Sequence, residues 1–178
     1  TLSRSSAASD VYKRQLLGGE DKGFISLMEE LPRERLALAV NAVAAIRGML
    51  DITSNYAQER EAFGKPISQF QHLRFKFAEM ETKYRLNSAF IKECLNLFQT
   101  NSLDTGTASM AKLASTEAQC EIADTCLQMF GGYGYMKEYP ISRAFADARI
   151  QKIYGGTSEI MLAVSYTHLR AHETCTNR

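Results

Sequence analysis

Apolar residues recur along most of this chain at intervals of three and four, the spacing of helices with a buried face. Leu36, Val40, Val43 and Leu50 mark one stripe, and Leu38, Ala42, Ala45 and Met49 a second. Two stripes on one segment predict a helix buried on more than one side. Pro32 suits the first turn of that helix, where its missing N–H costs nothing. A short separate helix is expected before it, from Phe24 to about Glu30. The pattern runs to Ala62 and stops at Gly64-Lys65-Pro66.

The second helix has the clearest seam: Phe70, Leu73, Phe77, Met80, Tyr84, Ile91, Cys94 and Phe98, interrupted by Asn87. A break at Asn101 to Thr105 precedes a third helix, from about Thr107 to Phe130. One face of it is small (Ala108, Ala111, Ser115, Ala118), which permits close packing. Gly131-Gly132-Tyr133-Gly134 stops it. Pro140 opens a fourth helix to about Tyr154, Gly155-Gly156 breaks that, and Thr157 caps a last short helix. With no strand-period stretch of note, the fold class is all-α, an antiparallel four-helix bundle.

Composition narrows the function classes. At 178 residues the chain is one domain by length. A net charge of +1 without a basic block argues against nucleic acid. No apolar run reaches membrane-span length, and the polar start lacks the order of a signal peptide, so secretion is not expected. Cys94, Cys120, Cys126 and Cys175 show no metal or disulfide spacing, and His72, His168 and His172 include no Glu-x-x-His. Reduced thiols and no metal site are expected. Residues 1–15 and 165–178 resemble translated cloning adapters and carry no helical period continuous with their neighbours. They are set aside as non-native flanks, leaving a native domain at 16–164.

Three motifs carry the chemistry. The first is Arg60-Glu61-Ala62-Phe63-Gly64-Lys65-Pro66-Ile67, followed by Phe70-Gln71. The second is Gln128-x-x-Gly131-Gly132-x-Gly134-Tyr135 with Glu138, Arg143 and Asp147 beyond it. The third is Ile153-Tyr154-Gly155-Gly156-Thr157-Ser158-Glu159-Ile160. In this order, on a helical chain, they resemble the C-terminal domain of the acyl-CoA dehydrogenases. The resemblance covers essentially all of 16–164. It implies one part of a three-part FAD enzyme of fatty-acid β-oxidation, in which a carboxylate removes the α-proton of an acyl-CoA thioester and the β-hydrogen leaves as hydride to flavin. It also implies a homo-oligomer, a dimer of dimers, that passes electrons to an electron-transferring flavoprotein in the bacterial cytoplasm or mitochondrial matrix. This part alone lacks the flavin-cradling β segment and is expected to be inactive by itself.

The residues divide by role under that resemblance. Many members carry the base where Gly155 stands here, and glycine has no group to take a proton. Long-chain and isovaleryl-type members place it on the first long helix, and Glu34 matches that position. The ordinary reading of Glu34 is an acidic residue favoured by the helix dipole. Arg35 matches an arginine near the acyl-CoA; otherwise it is an exposed helix arginine. Gly156 allows close approach to the thioester, or simply stops a helix. Pro32 replaces an aspartate that many relatives use toward substrate. Arg60 matches the arginine on the FAD pyrophosphate, typically across a dimer interface, against a surface bridge to Glu59 or Glu61. Gln71 would face the flavin nucleotide, or be an exposed amide. Gln128, Met129, Phe130, Gly131 and Gly132 would meet FAD from a neighbouring subunit, though a helix C-cap explains Gly131 locally. Thr157, Ser158 and Glu159 would line the adenosine part, or only cap a helix. Asp147 and Arg149 read as a polar tie in the bundle, and Tyr133 and Tyr135 as packing. Two other functions share the pattern: a flavin oxidase or monooxygenase on the same fold, and a catalytically silent helical bundle serving assembly.

Overall fold

The computed structural model describes residues 18–176, with side chains to 169. The 1–15 flank lies outside the described residues. The chain divides into two units, Thr1–Leu31 and Pro32–Arg178. In the first, a turn after Gly18 leads into helix, and residues 20–30 are exposed. In the second lies the bundle.

Among the described residues five helices follow one another: α1 Gly23–Glu59, α2 Gln71–Gln99, α3 Thr105–Phe130, α4 Pro140–Gln151 and α5 Ser158–Thr176. Between α1 and α2 stand a two-residue hairpin, β1 Glu61–Ala62 against β2 Lys65–Pro66, and a 3-10 turn, Ile67–Gln69. A second 3-10 turn, Gly131–Tyr135, follows α3.

The packing comes from the small face of α3. Ala108, Ala111, Ser115 and Ala118 are all buried, so neighbours approach it closely, and α2, α4 and α5 all pack on it. One core cluster joins Ile46, Met49 and Leu50 of α1 to Met80, Ile122, Phe130 and Ile141. A second joins Leu36, Ala39 and Val43 to Ile91, Cys94 and Ala111. The fold is thus the expected antiparallel bundle. Asp104 caps α3: its carboxylate accepts from Thr107 N at 2.8 Å and from Thr107 Oγ1 at 2.6 Å.

Several details depart from the sequence reading. Pro32 lies inside α1, not in its first turn. The acceptor it leaves without a donor is the carbonyl of Met28, and that residue is exposed to water. Val40 is exposed, and Ala39 and Ile46 hold the inner places instead. α1 is also long and apolar enough, by length and composition alone, to cross a membrane. Its inward residues account for that, since a core helix meets the same description. α5 is not short: at 19 residues it exceeds the 12 of α4. Helix continues through the stretch after Val164 that seemed to lack the period, and His168 Nε2 lies 3.0 Å from Asp104 Oδ1. Asp147 and Arg149 are both exposed. The polar tie centres on Glu117 of α3, which meets Lys152 Nζ at 2.5 Å, accepts from Ser158 Oγ at 2.6 Å and is favoured in its charged form by Arg149 as well.

Candidate functional site

Two clusters of the singled-out residues form, at different levels of α3. The first is at its C-terminal end. The hairpin turns on Phe63 and Gly64, both at positive φ (53° and 78°), and Ile67 N closes back on Arg60 O at 2.8 Å. That closure sets Arg60 beside the 131–135 turn. Its guanidinium lies 5.6 Å above the Tyr133 ring, a cation–π distance. Among the described residues Arg60 makes no ion pair with Glu59 or Glu61, so the surface-bridge reading is not what the fold builds. Tyr133, read as packing alone, is the platform beneath it and stacks on Tyr139 at 5.2 Å.

Arg60, Gln128, Met129, Phe130, Gly131 and Gly132 line one open groove of about 420 Å³ with Tyr56, Ile67, Tyr133 and Met136. Gly131 has φ 58°, and a Cβ there or at Gly132 would meet nothing within 4 Å. The groove therefore offers a free guanidinium, an amide and bare backbone, a donor set suited to an anion. Gln71 is exposed and outside it. Its neighbours His72 and Leu73 line an adjoining hollow of about 400 Å³ that shares Gln128 and Met129.

The second cluster joins α1, α3 and the turn before α5. Glu34 is exposed, so the bundle itself supplies no burial for it. Arg35 is the reverse of the exposed helix arginine that was its ordinary reading. It is 5 % exposed, donates from Nη1 to Ser109 Oγ at 2.9 Å, and leaves its Nε buried without a partner. Burial pulls its pKa below the usual arginine value, against the pull of Glu34. Gly155 and Gly156 both take left-handed φ, 65° and 104°. A Cβ on Gly155 would stand 2.3 Å from Leu38 Cδ1. Leu38 is one helical turn beyond Glu34 on the same face of α1. The position without a carboxylate therefore packs against the helix that carries one.

Thr157 and Ser158 do what capping requires. Thr157 Oγ1 accepts from Ile160 N at 3.4 Å, and Ser158 reaches Glu117. Glu159 is exposed. These residues do not share the groove of Gln128 to Gly132. Glu117, the partner of Ser158, stands eleven residues before Gln128 on α3, a rise of about 16 Å.

Three participants escaped the sequence reading. Glu117 and Ser109 sit in a helix with no motif around them. Lys112, buried in α3, donates from Nζ to Gly156 O at 2.7 Å. The one available signal was a lysine on an otherwise small-residue face. Among the described residues no group of His, Cys, Asp and Glu could hold a metal.

A family profile described as acyl-CoA dehydrogenase, C-terminal domain, matches residues 21–169. The mitochondrial long-chain specific acyl-CoA dehydrogenases of Mus musculus and Sus scrofa are each 50% identical over 146 residues, 82% of this chain and 34% of theirs. The chain thus spans about a third of the length of these curated relatives. A solved acyl-CoA dehydrogenase from Geobacillus kaustophilus superposes with TM-score 0.84 at 40% identity, covering 86% of this chain and 40% of that one.

Proposed function

Because the chain belongs to the acyl-CoA dehydrogenase family, as its C-terminal domain, we propose that it is the base-bearing helical bundle of a FAD-dependent acyl-CoA dehydrogenase. Glu34 is its catalytic base. The observation that carries this is the contact of Gly155 with Leu38, one turn from Glu34. It brings the position without a carboxylate against the helix that carries Glu34, and this supports the reading. Identity with long-chain enzymes supports a long-chain acyl-CoA as substrate.

The α-proton of a thioester is weakly acidic, so its removal needs a base in place and a donor for the enolate oxygen that forms. Glu34 takes the proton on its carboxylate. The N–H groups of the Gly155-Gly156 turn would serve as the donors, and Gly156 would meet the substrate through its backbone, because the side-chain side of both glycines is taken up by Leu38 and Met161. Arg35, held by Ser109, sits behind Glu34 as a fixed positive charge. FAD, when bound, supplies the acceptor for the β-hydride.

The groove at Arg60 fits an anionic arm of that cofactor, because its guanidinium is free of carboxylates and Gly131 and Gly132 leave backbone open. Gln71 and Gln128 would add amides, and Met129 and Phe130 the apolar wall. Thr157, Ser158 and Glu159 would meet another part of the cofactor. Their separation from the groove supports a site completed by a second copy of the chain, in a dimer of dimers. An electron-transferring flavoprotein is the proposed acceptor, in the bacterial cytoplasm or mitochondrial matrix. Residues 1–15 and 165–178 are proposed to be non-native flanks of a domain at 16–164.

The test uses the full-length parent enzyme. Glu34→Gln is expected to keep its flavin and lose substrate oxidation by about 10²- to 10⁴-fold. Turnover near the wild-type value would reassign the base.

A further inference from the structure

Lys112 heads the fully buried side chains of this molecule. Lysine is almost never buried completely without a charged partner. Among the described residues Lys112 makes no ion pair: its ammonium donates to one neutral oxygen, the carbonyl of Gly156, at 2.7 Å. Burial lowers its pKa, with Glu117 near enough to favour its charge and Arg35 to oppose it. A methionine would pack in the same place without that cost.

The partner explains the expense. Gly155 and Gly156 are consecutive residues in the left-handed region. Two glycines together have more conformations to lose than any other pair. The N–H groups of Gly155, Gly156 and Thr157 lie outside helix and, among the described residues, donate to no other backbone group. Among the described residues Lys112 is the one buried side chain that bonds to this turn's backbone. In a trans peptide the carbonyl and the following N–H point in opposite directions. Drawing the Gly156 carbonyl toward α3 therefore turns the Thr157 N–H away from it.

We propose that Lys112 is a positioning residue: it pins the Gly155–Thr157 turn through the Gly156 carbonyl, so that the unpaired N–H groups of the turn face the acyl thioester. This rests on the dehydrogenase function proposed above. Lys112 touches neither substrate nor cofactor, and its effect is on where the donors stand when the enolate oxygen gains charge. Displaced donors weaken the transition state more than the bound substrate.

The experiment compares wild-type, Lys112→Met and Lys112→Gln forms of the full-length parent, with kcat, KM, flavin content and Tm measured for each. Methionine keeps the stem and removes an unpaired buried charge, so Tm is expected to hold or rise. Its kcat is expected to fall about 30- to 100-fold, a displaced donor costing somewhat less than a deleted one, with flavin content unchanged and KM moved far less. Glutamine, a neutral donor one atom shorter, is expected to lie between the two, and it carries the test if the methionine form does not fold. Wild-type kcat in the folded variants overturns the proposal. So does a loss that only follows falling Tm or flavin content, which marks Lys112 as structural. A wild-type parent that does not oxidise acyl-CoA overturns the dehydrogenase reading itself, and this inference with it.

Discussion

Neighbouring residues on one helix can have opposite fates, and Glu34 and Arg35 show it. The sequence offered both as charged groups at a helix start. The fold exposes Glu34 and buries Arg35 against Ser109, because a shift of one residue turns a helix position by about 100°. Charge type alone could not have told them apart. Arg60 was more legible, since its place after a long helix and before a Phe-Gly turn is written in the motif. What the motif could not give is that its guanidinium lies over Tyr133 without a carboxylate partner. That geometry makes a prediction. In the parent enzyme, Arg60→Ala is expected to weaken FAD about 10- to 100-fold, the worth of a charge-assisted hydrogen bond, without lowering Tm, because Arg60 is exposed. Arg60→Lys should recover only part, as a point charge replaces a planar fork. Titrating the apo-parent with FAD and following flavin fluorescence measures it. Equal affinity in all three forms would remove Arg60 from the cofactor site.

At the scale of elements, periodicity located α1 to α4, because burial on α3 enforces the three-and-four spacing of its partners. Ends were harder. α1 continues across Pro32, and α5 continues past the expected stop. Neither outcome is encoded in a hydrophobic pattern. The start of α3 is where a single side chain decides. Burial disfavours the ionised Asp104 carboxyl, but hydrogen bonds from the Thr107 hydroxyl and N–H outweigh it, with His168 adding to them, and hold its pKa below the usual value. A depressed carboxylate pKa stabilises the fold above the unfolded value, and that contribution is lost as pH falls through the folded one. Asp104→Ala is expected to cost about 1 kcal/mol at neutral pH, as loss of an N-cap does. Asp104→Asn keeps the acceptor and should cost less while flattening the acid-side decline. Thermal unfolding of the chain between pH 7 and pH 3 would show it. An asparagine variant that declines as steeply as the original would place the acid sensitivity elsewhere, with Glu117 the next candidate: burial opposes its ionisation, and Lys152 and Ser158 outweigh that.

For the whole molecule, the question is how much of a flavin enzyme one bundle contains. Which motif meets which depends on the fold: Arg60 and Gln128 to Gly132 share a groove although far apart in sequence, whereas Thr157 to Glu159 sit about 16 Å lower along α3. Under the proposed function a single copy would therefore present one arm of a dinucleotide site at a time, in a groove open to water. Phe75 and Leu86 on α2 and Leu162 on α5 are large apolar side chains that the bundle leaves exposed, and covering such side chains favours association. The isolated chain is expected to be strongly helical by circular dichroism and to self-associate. It should bind FAD at least about 100-fold more weakly than the parent, because a few charge-assisted contacts must offset the ordering of a long, flexible ligand. Sedimentation and flavin fluorescence on the same sample separate the two properties. Tight stoichiometric FAD binding by the chain alone would mean that the bundle closes the cofactor site without the rest of the enzyme, and would move the flavin's main contacts from the missing parts to the face between Arg60 and Glu159.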